Sequence, residues 1–215
     1  VAEGGPREAR HGDWSYGNET GEESTEFRRF RAHRIAAYDG AIRFVDSEIA
    51  RLAAALSAAR QPLLVVTSDH GEEFWDHAAI QARWFDDPRK IWGIGHGHTL
   101  FEEVLAIPLI MVGGGFPAGT ATNCPASLLD LAPTLFAAAR LDPAPGWRGT
   151  DLEKLAAGAC PERFLAAESL AYGPMSRALL TGRLKLTLRG NRVLLHDLRR
   201  DPAESENLAD RFPNQ

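Results

Sequence analysis

An unbroken apolar run, Leu63-Leu64-Val65-Val66, closes on Thr67 and opens directly into Ser68-Asp69-His70-Gly71. Apolar residues without polar alternation predict a strand covered on both faces, the pattern of a sheet layered between helices. A second run, Pro108-Leu109-Ile110-Met111-Val112, ends in three consecutive glycines. The two are expected to be neighbours in a mainly parallel sheet. Ahead of the first run, Tyr38, Ile42, Val45, Ile49, Leu52 and Leu56 recur at spacings of four and three, which predicts a helix packing that stripe on the core. Asp39 and Asp46 then fall to a solvated face, and Pro62 stops the helix. Ser127 to Arg140 predicts another helix, with Leu128, Leu131, Leu135 and Phe136 on one side. Alternating strand and helix gives an α/β class, a layered α/β/α domain over residues 28–160.

The tail has a different pattern. Arg177 to Thr181, Leu184 to Leu188 and Val193 to Leu198 are short strand-like runs separated by turn residues, so residues 161–215 predict a small carboxyl-terminal antiparallel subdomain. Residues 1–27 hold five glycines and no apolar period, and read as a loop or arm.

Composition excludes several functions. Acidic residues outnumber basic ones by 29 to 24, and no basic stretch is interleaved with aromatics, so nucleic acid is not the expected partner. No apolar stretch approaches the ~20 residues of a membrane span. A small molecule is the expected substrate. Cys124 and Cys160 lack CxxC spacing, which excludes a zinc ribbon but leaves a single bridge open. No compartment follows.

Four of the seven histidines, His70, His77, His96 and His98, lie within one short stretch that also holds Asp69, Glu72, Glu73 and Asp76. Functional groups in open α/β sheets gather beyond the carboxyl ends of strands, where Asp69-His70-Gly71 sits. A carboxylate and an imidazole there supply oxygen and nitrogen ligands for Ca²⁺, Mg²⁺, Mn²⁺ or Zn²⁺. Gly71 is expected to permit a sharp turn. Gly95-His96-Gly97-His98 places two more imidazoles in a loop leading to the second strand, where one could ligate metal, bond an anionic ester oxygen or protonate a leaving group. The plainer alternatives are an Asp69 that caps a helix and loop histidines without a role.

SDHGEEFWDH, followed by GHGHTLFEEVLAIPLIM, resembles the sulfatases of the alkaline phosphatase superfamily. YDGAIRFVDSEIARL, CPASLLDLAPTLFAAARL and LLHDLRRDPAESENLAD are similar to further family segments in the same order, and together cover most of residues 35 to 210. The resemblance implies an alkaline phosphatase-like fold in which Asp69 and His70 hold a divalent metal, calcium being the ion expected, with Mn²⁺, Mg²⁺ or Zn²⁺ as alternatives. It implies that His96 contacts sulfate or protonates the leaving group, that the adjacent His98 can exchange roles with it, and that His77 binds substrate. It also implies a sulfate ester as substrate and an amino-terminal half carrying two more metal carboxylates and a Cys/Ser-x-Pro-x-Arg motif oxidised to formylglycine. That motif does not occur here. Cys160-Pro161-Glu162-Arg163 is one residue short and follows the metal motif instead of preceding it. The chain alone is therefore expected to bind metal weakly and to lack turnover. Phosphodiesterases, phosphonate monoester hydrolases and phosphoglycerol transferases of the same superfamily are the alternative enzymes, and an inert fragment or binding module is the alternative of another class.

Overall fold

The computed structural model describes residues 16, 24–59, 62–84, 87–158, 160, 162–169 and 171–211. Helix α1 (Thr25–Ala59) starts where the Ser24 hydroxyl accepts the Phe27 amide at 2.9 Å, a side-chain N-cap, and ends ahead of Pro62. Strand β1 (Leu64–Thr67) follows, then a short ribbon of β2 (Glu73–Phe74) and β3 (Ile94–Gly95) with α2 (Ala78–Trp84) between its arms. One turn of helix, α3 (Glu102–Leu105), leads into β4 (Leu109–Val112). Helices α4 (Leu131–Ala138) and α5 (Leu152–Ala156) precede a four-stranded meander of β5 (Phe164–Ser169), β6 (Ser176–Thr181), β7 (Leu184–Arg189) and β8 (Arg192–Asp197).

The α/β class and the carboxyl-terminal antiparallel sheet match expectation. β5 was not anticipated, because Phe164-Leu165-Ala166-Ala167 carries little β-branched character. The two apolar runs are neighbours, but β1 pairs with β4 antiparallel, Leu64 opposite Val112 and Thr67 opposite Leu109. All strand pairs among the described residues are antiparallel. An apolar run reports burial, not direction, and the excursion between these runs returns the chain along the strand it left.

The expected burial is also only partly met. Tyr38, Ile42, Val45 and Leu52 on α1, and Ile110 and Val112 on β4, are 42–56% exposed. The α1 stripe is amphipathic as read, but the described elements cover only its first turns. Phe27 and Phe30 there enter an aromatic core with Trp75, Ala78 and Ile94, joined by Tyr16. Phe27 and Tyr16 fall in the segment expected to be an arm and pack on this core, while residues 1–15 and 17–23 of that segment lie outside the described residues. At the start of α4 the buried side chains are polar, Asp130 just before the helix and Thr134 within it. Asp130 accepts the Ser127 and Thr150 amides and pairs with Arg163, and Thr134 accepts the Leu152 amide, while Leu135 and Phe136 stay largely exposed. Cys124 and Cys160 form a disulfide across a separation of 36 residues in this region, which a chain-entropy argument values at roughly 4 kcal/mol.

A buried charge cluster fastens the meander to the α/β part. Lys185 of β7, 1% exposed, contacts Glu102 at 2.8 Å and Glu204 at 2.9 Å. Glu204 also bonds His196 at 3.1 Å and accepts the Glu102 amide at 2.6 Å. Burial alone would raise the Glu204 pKa, but the His196 hydrogen bond and the Lys185 charge hold it below the ordinary carboxylate range. Nearby, His77 stacks on Phe101 at 3.7 Å, its Nδ1 lies 2.6 Å from Glu103, and its Nε2 donates to the Ala203 carbonyl at 3.0 Å.

Two consequences can be measured. Lys185→Met leaves Glu102 and the buried Glu204 without their ammonium, so urea denaturation is expected to show a loss of about 3–5 kcal/mol; a loss within 1 kcal/mol would remove the cluster as the fastening. Burial pushes His77 toward neutrality, but the Glu103 carboxylate and the Ala203 carbonyl more than reverse this and leave its pKa raised. A raised folded pKa stabilises fully below the unfolded value of about 6.5 and is lost as pH rises through the folded value. The stability gap between wild type and His77→Gln is therefore expected to be widest near pH 5.5 and to shrink above neutrality, whereas a gap independent of pH would contradict the ion pair.

Candidate functional site

The β2–β3 ribbon builds the site. Its register sets Glu73 opposite Gly95, and one residue further along each arm this brings Glu72 beside His96. The His96 Nδ1 lies 2.9 Å from Glu72 Oε2. Gly93, at φ +77°, makes the tight entry into β3, and a Cβ there would meet Ala78 and Trp75 at 2.6 Å. Gly71 serves close approach, not the sharp turn expected of it. Its amide donates to the Val104 carbonyl at 2.8 Å, and a Cβ would fall 2.0 Å from the Glu103 carbonyl oxygen. The loop after β1 is thereby pressed against α3.

His70 and His96, far apart in sequence, stack at 3.6 Å between ring centroids. His70 Nδ1 lies 2.7 Å from the Gly71 carbonyl oxygen, and Asp69 Oδ1 lies 3.6 Å from His70 Nε2, with the Asp69 side chain 86% exposed. Asp69, His70 and His96 line one end of a cleft of about 690 Å³ that runs between α3, the Pro125–Leu128 segment and the meander. Lys185 and Glu102 line it as well. Tyr38 of α1 lies edge-on to Phe74 at 5.2 Å, and its phenol pKa is raised by burial and by the carboxylates of Glu72 and Asp69.

The other two histidines lie outside that lining. His98 is 3% exposed, and its Nε2 meets Glu73 Oε2 at 3.1 Å; Glu73 is itself fully buried and held by Gln81. Its backbone carbonyl accepts from Arg189 at 2.7 Å, and the Gly97 carbonyl accepts from Ser169 at 2.9 Å, so the meander holds the loop from below. His77 has both ring nitrogens engaged in the junction described above. The structure thus brings together Asp69, His70 and His96, and places His98 and His77 in internal contacts. Glu72 and Lys185 were not assigned roles from sequence. The signal for Glu72 was the ribbon register, and for Lys185 a lone lysine between leucines on a short strand.

Carboxylate and imidazole donors at the cleft end fit a divalent metal. They do not by themselves fit calcium, which takes six to eight oxygens. Asp69 and Glu72 supply oxygen, whereas His70 and His96 supply nitrogen.

Comparison with known proteins bears on the family and the fold. A family model described as Sulfatase matches residues 8–141. Among solved structures, BT4656 in complex with its substrate D-glucosamine-2-N,6-O-disulfate is similar over 87% of this chain and 38% of its own, at 19% identity and a TM-score of 0.68. BT1596, a 2-O GAG sulfatase, is similar over 87% of this chain and 40% of its own, at 22% identity and a TM-score of 0.65. At these identities the likeness is one of fold. The low-salt glycan biosynthesis sulfotransferase Agl7 of Haloferax volcanii is 36% identical over 76 residues, 35% of this chain and 16% of that protein. The chain therefore spans well under half the length of these relatives. With a matching family model over more than half its residues, a shared fold and the Asp-His pair at the strand end, the chain belongs to the sulfatase family, within the alkaline phosphatase superfamily.

Proposed function

We propose that this chain is the metal- and proton-handling part of a sulfuric ester hydrolase that cleaves a small-molecule sulfate ester. The observation that carries the reading is the meeting of His96 with the Asp69-His70 pair at the mouth of the cleft. In this reading Asp69 and His70 contribute donors to a divalent metal, which when bound polarises the ester oxygens. His96, half-exposed and oriented by Glu72, gives a proton to the departing alcohol oxygen, the step that matters most for a poor leaving group. Glu102 and Lys185 hold the cleft wall and keep the loop bearing His96 in place.

The nucleophile is a further part of the proposal. No Cys/Ser-x-Pro-x-Arg motif occurs in this sequence, and the relatives are more than twice as long as the part this chain matches. A formylglycine and the remaining metal carboxylates would come from that additional length. The same segment would cover the open stripe of α1 and the face of β4, whose apolar side chains are otherwise left to water. Hydrolysis of phosphate or phosphonate esters remains the second reading, because His96 beside His70 and Glu72 could serve two metals.

The test uses an alkyl sulfate, a phosphodiester and an aryl sulfate. The 215-residue chain alone is expected to turn over none of them. When the chain is joined to the nucleophile-bearing segment, alkyl sulfate turnover is expected. His96→Ala should lower that turnover by roughly 10²- to 10⁴-fold, with a smaller loss on the aryl sulfate, whose leaving group needs less protonation. Asp39→Ala, on the exposed face of α1, should change little. Equal alkyl sulfate rates for wild type and His96→Ala would sink the role of His96, and preference for the phosphodiester would replace the sulfatase reading with the second one.

A further inference from the structure

We propose that the cleft beyond His96 receives an aliphatic alcohol, so that the ester taken by this chain is an alkyl sulfate and not a sugar sulfate. The inference names the substrate class of the proposed hydrolase, and it rests on that reading for the position of the sulfate at the cleft mouth.

The floor of the cleft is the face of the meander that carries Lys185. Strand register sets Ser169 opposite Ser176, Ala167 opposite Ala178 and Leu165 opposite Leu180. Alternate residues of a strand share a face, so Leu165, Ala167 and Ser169 form one row that runs from aliphatic to polar. Its polar end meets the candidate site, because Ser169 Oγ donates to the Gly97 carbonyl beside His96. Its aliphatic end, Leu165 with Leu180, lies four residues further along the strand, roughly 13 Å away. Ala167 and Ala178 between them line the cleft with the smallest side chains, which leaves room for a chain of several carbons.

The facing wall carries Leu105, Ile107, Pro125 and Leu128. Away from His96, the polar side chains that line the cleft already have partners: Lys185 has Glu102 and Glu204, Glu168 has Arg177, and the Ser127 hydroxyl accepts the Leu129 amide. The wall's backbone is also engaged. Asp130 accepts the Ser127 amide at 2.7 Å and pairs with Arg163, which donates to the Pro125 carbonyl at 3.5 Å. The disulfide between Cys124 and Cys160 ties this segment to the chain that enters β5. A wall held in this way loses little freedom when a ligand enters. The hydroxyls of a buried sugar would face side chains that neither donate nor accept, which opposes binding. Each methylene moved from water into the same space favours binding by up to about fourfold.

Binding is measured by NMR on the 215-residue chain with labelled leucine methyl groups, using butyl, hexyl and octyl sulfate below their micelle concentrations and glucosamine 6-sulfate as the sugar probe. Affinity is expected to rise by about two- to fourfold per methylene, and octyl sulfate to bind at least about tenfold more tightly than the sugar. Nuclear Overhauser contacts should join the terminal methyl of octyl sulfate to Leu165 and Leu180. Ala167→Leu, which fills the middle of the floor, should abolish the dependence on chain length, whereas Ile42→Asn on the exposed stripe of α1 should leave it unchanged. Tighter binding of the sugar, an unchanged length dependence in Ala167→Leu, or octyl sulfate without contacts to Leu165 and Leu180 would overturn the proposal. If circular dichroism shows Ala167→Leu to be unfolded, the contacts in the wild type decide. The titration is repeated on the chain joined to the nucleophile-bearing segment; loss of octyl sulfate binding there means that the segment itself fills the cleft, and also rejects the proposal. Binding and turnover separate the two readings. Octyl sulfate that occupies the cleft of the joined protein without being cleaved counts against the sulfatase reading alone, and cleavage of a sugar sulfate with no alkyl preference counts against this inference alone.

Discussion

The arrangement depends on Lys185 being buried between two carboxylates. An ammonium in that position is tolerated only because Glu102 and Glu204 both reach it, and each carboxylate is costly without it. The three come from separate parts of the sequence, α3, β7 and the segment after β8, so one cluster fixes the relative placement of the α/β part and the meander. Glu204 adopts φ +49°, a strained conformation for a residue with a side chain, and its contacts to Lys185, His196 and the Glu102 amide hold it there. Since Glu102 begins α3, the cluster also determines where the loop from His96 to Phe101 can lie.

That loop is held from both sides. The meander supplies Arg189 to the His98 carbonyl and Ser169 to the Gly97 carbonyl, while the ribbon supplies Glu73 to the His98 ring. With the loop's backbone and one histidine committed, His96 is the imidazole left facing the cleft. Its partner across the ribbon, Glu72, and the ring of His70 beneath it define the direction in which it can act. The histidines of the stretch thus divide between exposed rings at the cleft mouth and buried rings held by carboxylates inside the fold.

The exposed apolar faces of α1 and β4 belong to a chain that spans 38–40% of the length of its structural relatives. Within the described residues, burial is concentrated where the chain closes on itself: the aromatic cluster of Phe27, Phe30 and Trp75, the polar centre around Asp130, and the Lys185 cluster.

Much of the fold was legible in the residues. Helix α1, strands β1 and β4 as neighbours, and three of the four meander strands follow from apolar period and turn chemistry, which are local properties. The Asp69-His70 pair at a strand end was legible for the same reason. Strand direction was not, because an apolar run carries no sign of which way its neighbour travels. Nor were the separate fates of His96 and His98, two residues apart in one motif, since only the β2–β3 register and the meander's donors decide which ring faces the cleft and which is buried against Glu73. Sequence by itself determined the elements and the chemical groups available; the tertiary structure alone decided which of those groups meet, because contacts between residues distant in the chain are set by packing and charge pairing, not by local pattern.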